Sequence, residues 1–195
     1  RRGPRRSARA VSAGRGHVTT RHIYVDETKE RGCVLVASTH LGSEVDAVRK
    51  DLRRLALRGQ HRIHMAKESD SRRKIIVDTL IAAGVSATVY DAGRRYDNDH
   101  AARTACLRAV VGDVPPVQLT HLVIEQDDTL VRWDRQQLVA LVHAAGCQDS
   151  VRYRHERAKS ELMLTIPDAI AWCWARGGEW RQRIRGVTTV ITVCP

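Results

Sequence analysis

From Arg21 onward the apolar positions come in short runs whose spacing switches between alternation and a helical repeat, and the switches predict the elements. RHIYVDE (21–27) is a β-branched and aromatic run ending in acid, TKERG is a turn, and CVLVAST (33–39) is almost continuously apolar. The chain is therefore expected to open with an antiparallel hairpin whose second strand is buried. From Ser43 the spacing becomes helical, with Val45, Val48, Leu52 and Leu55 on one face and Gly59 beyond the end. HRIHM (61–65) reads as a third strand, and ESDSRRKIIVDTLIAAG as a helix with Ile75, Ile76, Leu80 and Ile81, stopping at Gly84.

VSATVYDA (85–92) reads as a strand and AARTACLRAVV (101–111) as a helix that the Pro115–Pro116 pair keeps from continuing. THLVIEQ (120–126) is a strand that delivers Glu125 at its end, and WDRQQLVALVHAAG a helix closed by Gly146. VRYRHE (151–156) is a strand, IPDAIAWCWARGG a helix with Pro167 in its first turn and Gly177–Gly178 at its exit, and GVTTVITV (186–193) the last strand. A hairpin followed by alternating helices and strands implies an α/β domain: one mixed sheet with helices on both faces.

Residues 1–20 (RRGPRRSARAVSAGRGHVTT) lack this periodicity and are expected to be a disordered basic tail, leaving 21–195 as a single domain. The tail reads either as a nucleic-acid-binding arm or as an upstream extension of a protein that starts at Val18. It bears on the charge, since six of its residues are arginines without a neighbouring acid; of the net +11, +5 remains for the rest. That remainder still favours an anionic partner such as nucleic acid. Hydrophobic residues at 43% and charged residues at 28% are the balance of a globular protein. No run approaches the roughly 18 apolar residues of a membrane span, and no apolar secretory segment stands at the N-terminus, so a cytoplasmic location without membrane partners is expected. The five scattered cysteines suggest neither a disulfide framework nor a zinc knuckle.

Candidate chemistry lies at element ends: Asp26 and Glu27 after the first strand, Glu125 with Asp127 and Asp128 after a later one, and Asp168 at the start of the last long helix. Singly, each acid is what a turn, a solvated surface or a helix dipole would accept. Together, two or three convergent carboxylates can hold Mg2+ or Mn2+ against a phosphodiester. Glu161 is a weaker candidate for a further ligand. Chains with G-x-G-x-x-G, P-loop or G-x-S-x-G signatures are excluded, since none occurs.

The runs IYVDETKERGCVLVAS, LVIEQDD and ELMLTIPDAIAWCWARGG resemble a ribonuclease-H-like DUF family whose members open with an Asp-Glu-Ser-Gly motif and end with an Asp-bearing helix. The likeness covers most of residues 22–193. It implies a ribonuclease-H-like sheet, with Asp26 as the first-strand acid, Glu125 at a position usually held by Asp, and Asp168 as the helical acid. Two departures stand out: Thr28–Lys29 replaces Ser-Gly, and Glu replaces Asp at 125.

The first functional expectation is accordingly a Mg2+- or Mn2+-dependent nuclease acting on RNA or DNA, with Asp26, Glu125 and Asp168 as ligands and Glu27 or Asp128 assisting. The basic stretch HRIHMAKESDSRR would grip the strand: His64 or Lys67 at the scissile phosphate, and Arg62, Arg72 and Arg73 on backbone phosphates. A polar strand edge and a solvated helix start explain the same residues equally well. His61 and His64 have no Cys or acid at zinc spacing. The departures motivate an alternative, a catalytically inactive ribonuclease-H-like module binding nucleic acid or protein; a small-molecule hydrolase would need the acids inside a closed pocket. Trp172, Trp174 and Trp180 crowd the last helix, in keeping with core packing or a contact with a second copy, and less with base stacking.

Overall fold

The computed structural model describes residues 19–195, so the basic tail lies outside the described residues apart from its last two positions. The alternating run at 21–28 does form a strand, β1 (Arg21–Thr28), which turns back into β2 (Cys33–Leu41). Their pairing is antiparallel, with Asp26 opposite Val36. The turn needs a glycine twice over: Gly32 has φ +99°, and a Cβ there would lie 2.2 Å from the carbonyl oxygen of Gly93.

α1 (Gly42–Leu55) follows at once, its start secured by the Glu44 carboxylate, which accepts the Leu41 N–H at 3.1 Å. The remaining elements are α2 (Asp70–Ala82), β3 (Ser86–Gly93), α3 (Asp99–Gly112), β4 (Thr120–Glu125), α4 (Val131–Ala144), β5 (Val151–Glu156), α5 (Thr165–Arg176), α6 (Gly178–Ile184) and β6 (Thr188–Thr192). The strands form one sheet in the order β5-β4-β1-β2-β3-β6. β2 runs antiparallel to both β1 and β3, whereas the β1–β4, β4–β5 and β3–β6 pairs are parallel.

Strand alternation divides the core into two layers. Tyr24, Val34, Val36, Val89 and Val123 face α1, α2 and α5, represented by Leu52, Ile76 and Ile170. Ile23, Val25, Leu35, Leu122 and Ile124 face α3 and α4, represented by Leu107 and Leu138. The expected mixed sheet with helices on both faces is thus observed. No described helix is long and apolar enough to cross a membrane.

Two expectations are corrected. HRIHM is not a strand: it crosses the α2–α5 face as an extended segment and closes in a 3-10 turn at Met65–Lys67. Its alternation is real, with Ile63 and Met65 fully buried, but side chains rather than a neighbouring strand satisfy its backbone. The Met65 N–H donates to the Asp168 carboxylate at 2.9 Å, and Arg73 donates to the carbonyls of Met65 (2.8 Å) and Ala66 (3.1 Å). The second correction is α6, which intervenes after Gly177 (φ +71°) has ended α5, so the last strand starts only at Thr188.

Candidate functional site

Parity places the acids. Ile23 and Val25 lie in the α3–α4 layer and Tyr24 in the α5 layer, so Asp26 projects toward α5. The same count sends Glu125 to the side of Val123. Val25 pairs with Ile124 in the parallel β1–β4 ladder, so Asp26 and Glu125 follow on neighbouring strands in register. α5 packs across β1 and β2 and presents Asp168 from its first turn. Asp26 and Glu125 therefore lie side by side at the C-terminal ends of β1 and β4, with Asp168 on the helix that packs over them.

Their proximity is visible in the electrostatics. Desolvation, then the charge of Glu125 and a hydrogen bond with it, then the charge of Asp168 push the Asp26 carboxyl well above the usual carboxylate range. The Glu27 N–H, donating to Asp26 Oδ1 at 2.7 Å, works in the opposite direction. In the segment where Ile63 and Met65 point inward, Arg62 and His64 point to the acids. Arg62 pairs with Glu125 at 2.6 Å, and His64 Nδ1 lies 3.2 Å from Asp168 Oδ1.

Glu27 does not join the three. One residue beyond Asp26, it emerges on the opposite face, where its carboxylate meets Arg103 and the Lys29 ammonium (3.1 Å). Arg103 is the centre of a buried ionic group that the sequence reading missed: it donates to both Asp134 oxygens at 2.7 Å, and His155 Nε2 lies 3.2 Å from the same carboxylate. The hydrogen bonds from Arg103 and His155 outweigh desolvation and hold Asp134 below the usual carboxylate range. An arginine inside the small and apolar run AARTACLRAVV was the available signal.

The other predicted residues are dispersed. Asp128 is exposed and pairs with Arg157 at 2.6 Å. Asp127 caps its own turn through Thr129. Glu161 is held by Arg49 at 3.1 Å. Arg72 and Arg73 spend their donors on the chain, Arg72 on the Leu55 carbonyl and Glu68, Arg73 on Asp70 and the 65–66 carbonyls. Lys67 is exposed on the 3-10 turn. The tryptophans pack within the protein: Trp172 meets Trp180 edge to face at 5.0 Å, with Arg73 over its ring, and Arg181 covers Trp174.

A cleft of about 440 Å³ opens at the strand ends toward the α3–α4 side, lined by Asp26, Glu125, Glu27, Asp127, Asp128 and Arg103 with Val25, Leu35 and Ile124 beneath; Asp168, Arg62 and His64 do not line it. In donor chemistry the site fits a hard divalent cation, because the desolvated Asp26 carboxyl beside Glu125 is relieved by positive charge. Among the described residues, no three His, Cys, Asp or Glu side chains form a ready-made cation group. Arg62 meets Glu125, and His64 with the Met65 amide meets Asp168.

No family model and no curated protein matches the sequence. Among solved structures, the chain is similar to one from the PCNA:RNase HII complex of Archaeoglobus fulgidus. The match has 14% sequence identity and a TM-score of 0.52, covering 81% of this chain and 73% of that one. At that identity the likeness is one of architecture, and it shows that this protein has a ribonuclease-H-like α/β fold.

Proposed function

We propose that the protein is a Mg2+- or Mn2+-dependent nuclease cleaving phosphodiester bonds in RNA or DNA, a reading that rests on the ribonuclease-H-like fold and its carboxylates. One observation carries the reading: Asp26 is desolvated against Glu125 and Asp168 at the open end of the sheet. Asp26, Glu125 and Asp168 would hold the cation, which when bound supplies Lewis-acid activation of water and charge neutralisation at the phosphate.

This chain's own residues contribute orientation and charge. His64, with Nδ1 turned to Asp168, keeps Nε2 for a phosphate oxygen or the leaving hydroxyl. Arg62, paired with Glu125, would offer its guanidinium to a substrate phosphate beside that carboxylate. Asp128, on Arg157, and Glu27, on Arg103, lie farther from the reacting group and act through the charge balance of the cleft.

The test is cleavage of labelled RNA, DNA and hybrid substrates with Mg2+ or Mn2+, comparing wild type with Asp26→Asn and Glu125→Gln. Both variants should lose cation-dependent cleavage, and Asp26→Asn should melt at the wild-type temperature or a few degrees higher without divalent cation, because it removes a repelled carboxylate. Undiminished cleavage by both would refute the assignment.

A second reading, an inactive binding module, is favoured by the pairing of Arg62 and His64 with the very acids a cation would need. Calorimetric titration with Mn2+ separates the two, since a closed site gives no saturable heat.

A further inference from the structure

The cleft at the strand ends is not isolated. It shares Glu125 and Gln126 with a notch of about 200 Å³, which is also lined by Arg62, Arg157 and Lys159. Lys159 in turn borders a trough of about 510 Å³ between the end of α1 and the 157–162 turn, where Arg53, Gln60 and His61 line the walls. Three depressions thus border one another across shared side chains, and α1 and α5 belong to the layer toward which Asp26 and Glu125 project.

The cations along this path differ in how they are used. Arg49 is neutralised by Glu161 and Asp46, each at 3.1 Å, Arg62 by Glu125 and Arg157 by Asp128. Arg53, His61 and Lys159 are exposed and make no ion pair or hydrogen bond among the described residues. Unpaired cations spaced along a groove suit a chain of phosphates, whose binding releases counterions. The trough holds no Trp or Tyr to stack a base, so its contacts are of the sequence-tolerant backbone kind.

Resting on the nuclease reading above, we propose that Arg53, His61 and Lys159 form a track for the sugar–phosphate backbone of a single strand, which reaches the carboxylates through the Arg62–Arg157–Lys159 notch. Binding in the track is independent of sequence and of divalent cation.

The experiment measures anisotropy of fluorescein-labelled 20-nucleotide mixed-sequence RNA and DNA strands with the full chain, without divalent cation, across a salt series. Arg53→Glu/Lys159→Glu should weaken binding about tenfold and lower the log–log salt slope by about 1 per lost contact. The milder Arg53→Gln/Lys159→Gln should do the same to a smaller extent and guards against misfolding. Arg108→Glu/Arg135→Glu, an equal charge change on exposed positions of α3 and α4, should stay within about twofold of wild type. In the cation-loaded protein, the track variants should raise KM for the 20-mer with kcat retained, and leave cleavage of a trinucleotide unchanged. Equal weakening by the α3–α4 control, or wild-type binding by the track variants, overturns the track and leaves the nuclease reading standing. No binding of either strand by wild type overturns the track alone, and loss of the nuclease reading would show instead as absence of cation-dependent cleavage of RNA, DNA and hybrid substrates.

Discussion

Arg103 offers the sharpest test of how the cleft floor is held. Its side chain is 4% exposed and that of Asp134 1%, with two hydrogen bonds of 2.7 Å between them and Glu27 as a third partner. Arg103→Met conserves most of the volume and leaves Asp134 buried with only His155 beside it. Removing one partner of a buried ion pair costs about 3–5 kcal/mol. At about 2–4 °C per kcal/mol for a chain of this size, melting should fall by roughly 6–20 °C. Arg103→Met/Asp134→Leu should recover most of the loss, because the uncompensated charge disappears with its partner. Thermal and urea unfolding of the two single variants and the double variant give the coupling directly. The single-variant penalty should also shrink in acid. Asp134 titrates lower in the folded state, so its stabilisation is present above the unfolded carboxylate value and is lost as pH falls below about 4 through the folded value. A penalty under about 1 kcal/mol at neutral pH, or a double variant as weak as Arg103→Met, would refute the buried-charge argument.

Two further predictions concern the opposite ends of the α5 layer. Burial pushes the His40 imidazole down to about 4, with Glu44 opposing and His22 reinforcing the shift. The unfolded chain therefore takes up a proton first, and stability falls between about pH 6.5 and 4, by about 3 kcal/mol at most. His40→Asn should flatten that slope in urea titrations at pH 7.5 and 4.5, and an unchanged slope would remove His40 as its source. Asp168→Ala should leave the buried Met65 N–H without its acceptor, costing about 1–3 kcal/mol locally. Hydrogen exchange at Met65 should then accelerate roughly ten- to a hundredfold, whereas unchanged protection would mean that apolar packing alone holds the segment.

The strand-end placement of the acids could be read from sequence because strands count by twos. Asp26 and Glu125 each stand near a strand end, and the parallel β1–β4 pairing, which the sequence did not assign, sets them side by side. The same parity, applied one residue further, separates Glu27 from Asp26. What stayed hidden was long-range. The Met65 N–H is satisfied by Asp168, about a hundred residues away, and the carbonyls of Met65 and Ala66 by Arg73, so the alternation of the segment looked like a strand. Arg72 and Arg73 looked like phosphate ligands because a basic run gives no sign that carbonyls of its own chain will claim the donors. The Arg103–Asp134–His155 group draws on α3, α4 and β5, and only the tertiary fold joins them.

The inward anchoring of Ile63 and Met65 separates two duties within five residues. The odd positions fix where the segment runs, and the even positions decide what it offers to the carboxylates. Residues 62 and 64 are thereby open to replacement by side chains of other charge or proton affinity without disturbing the scaffold. That makes them the natural pair to randomise when retuning what the cleft accepts.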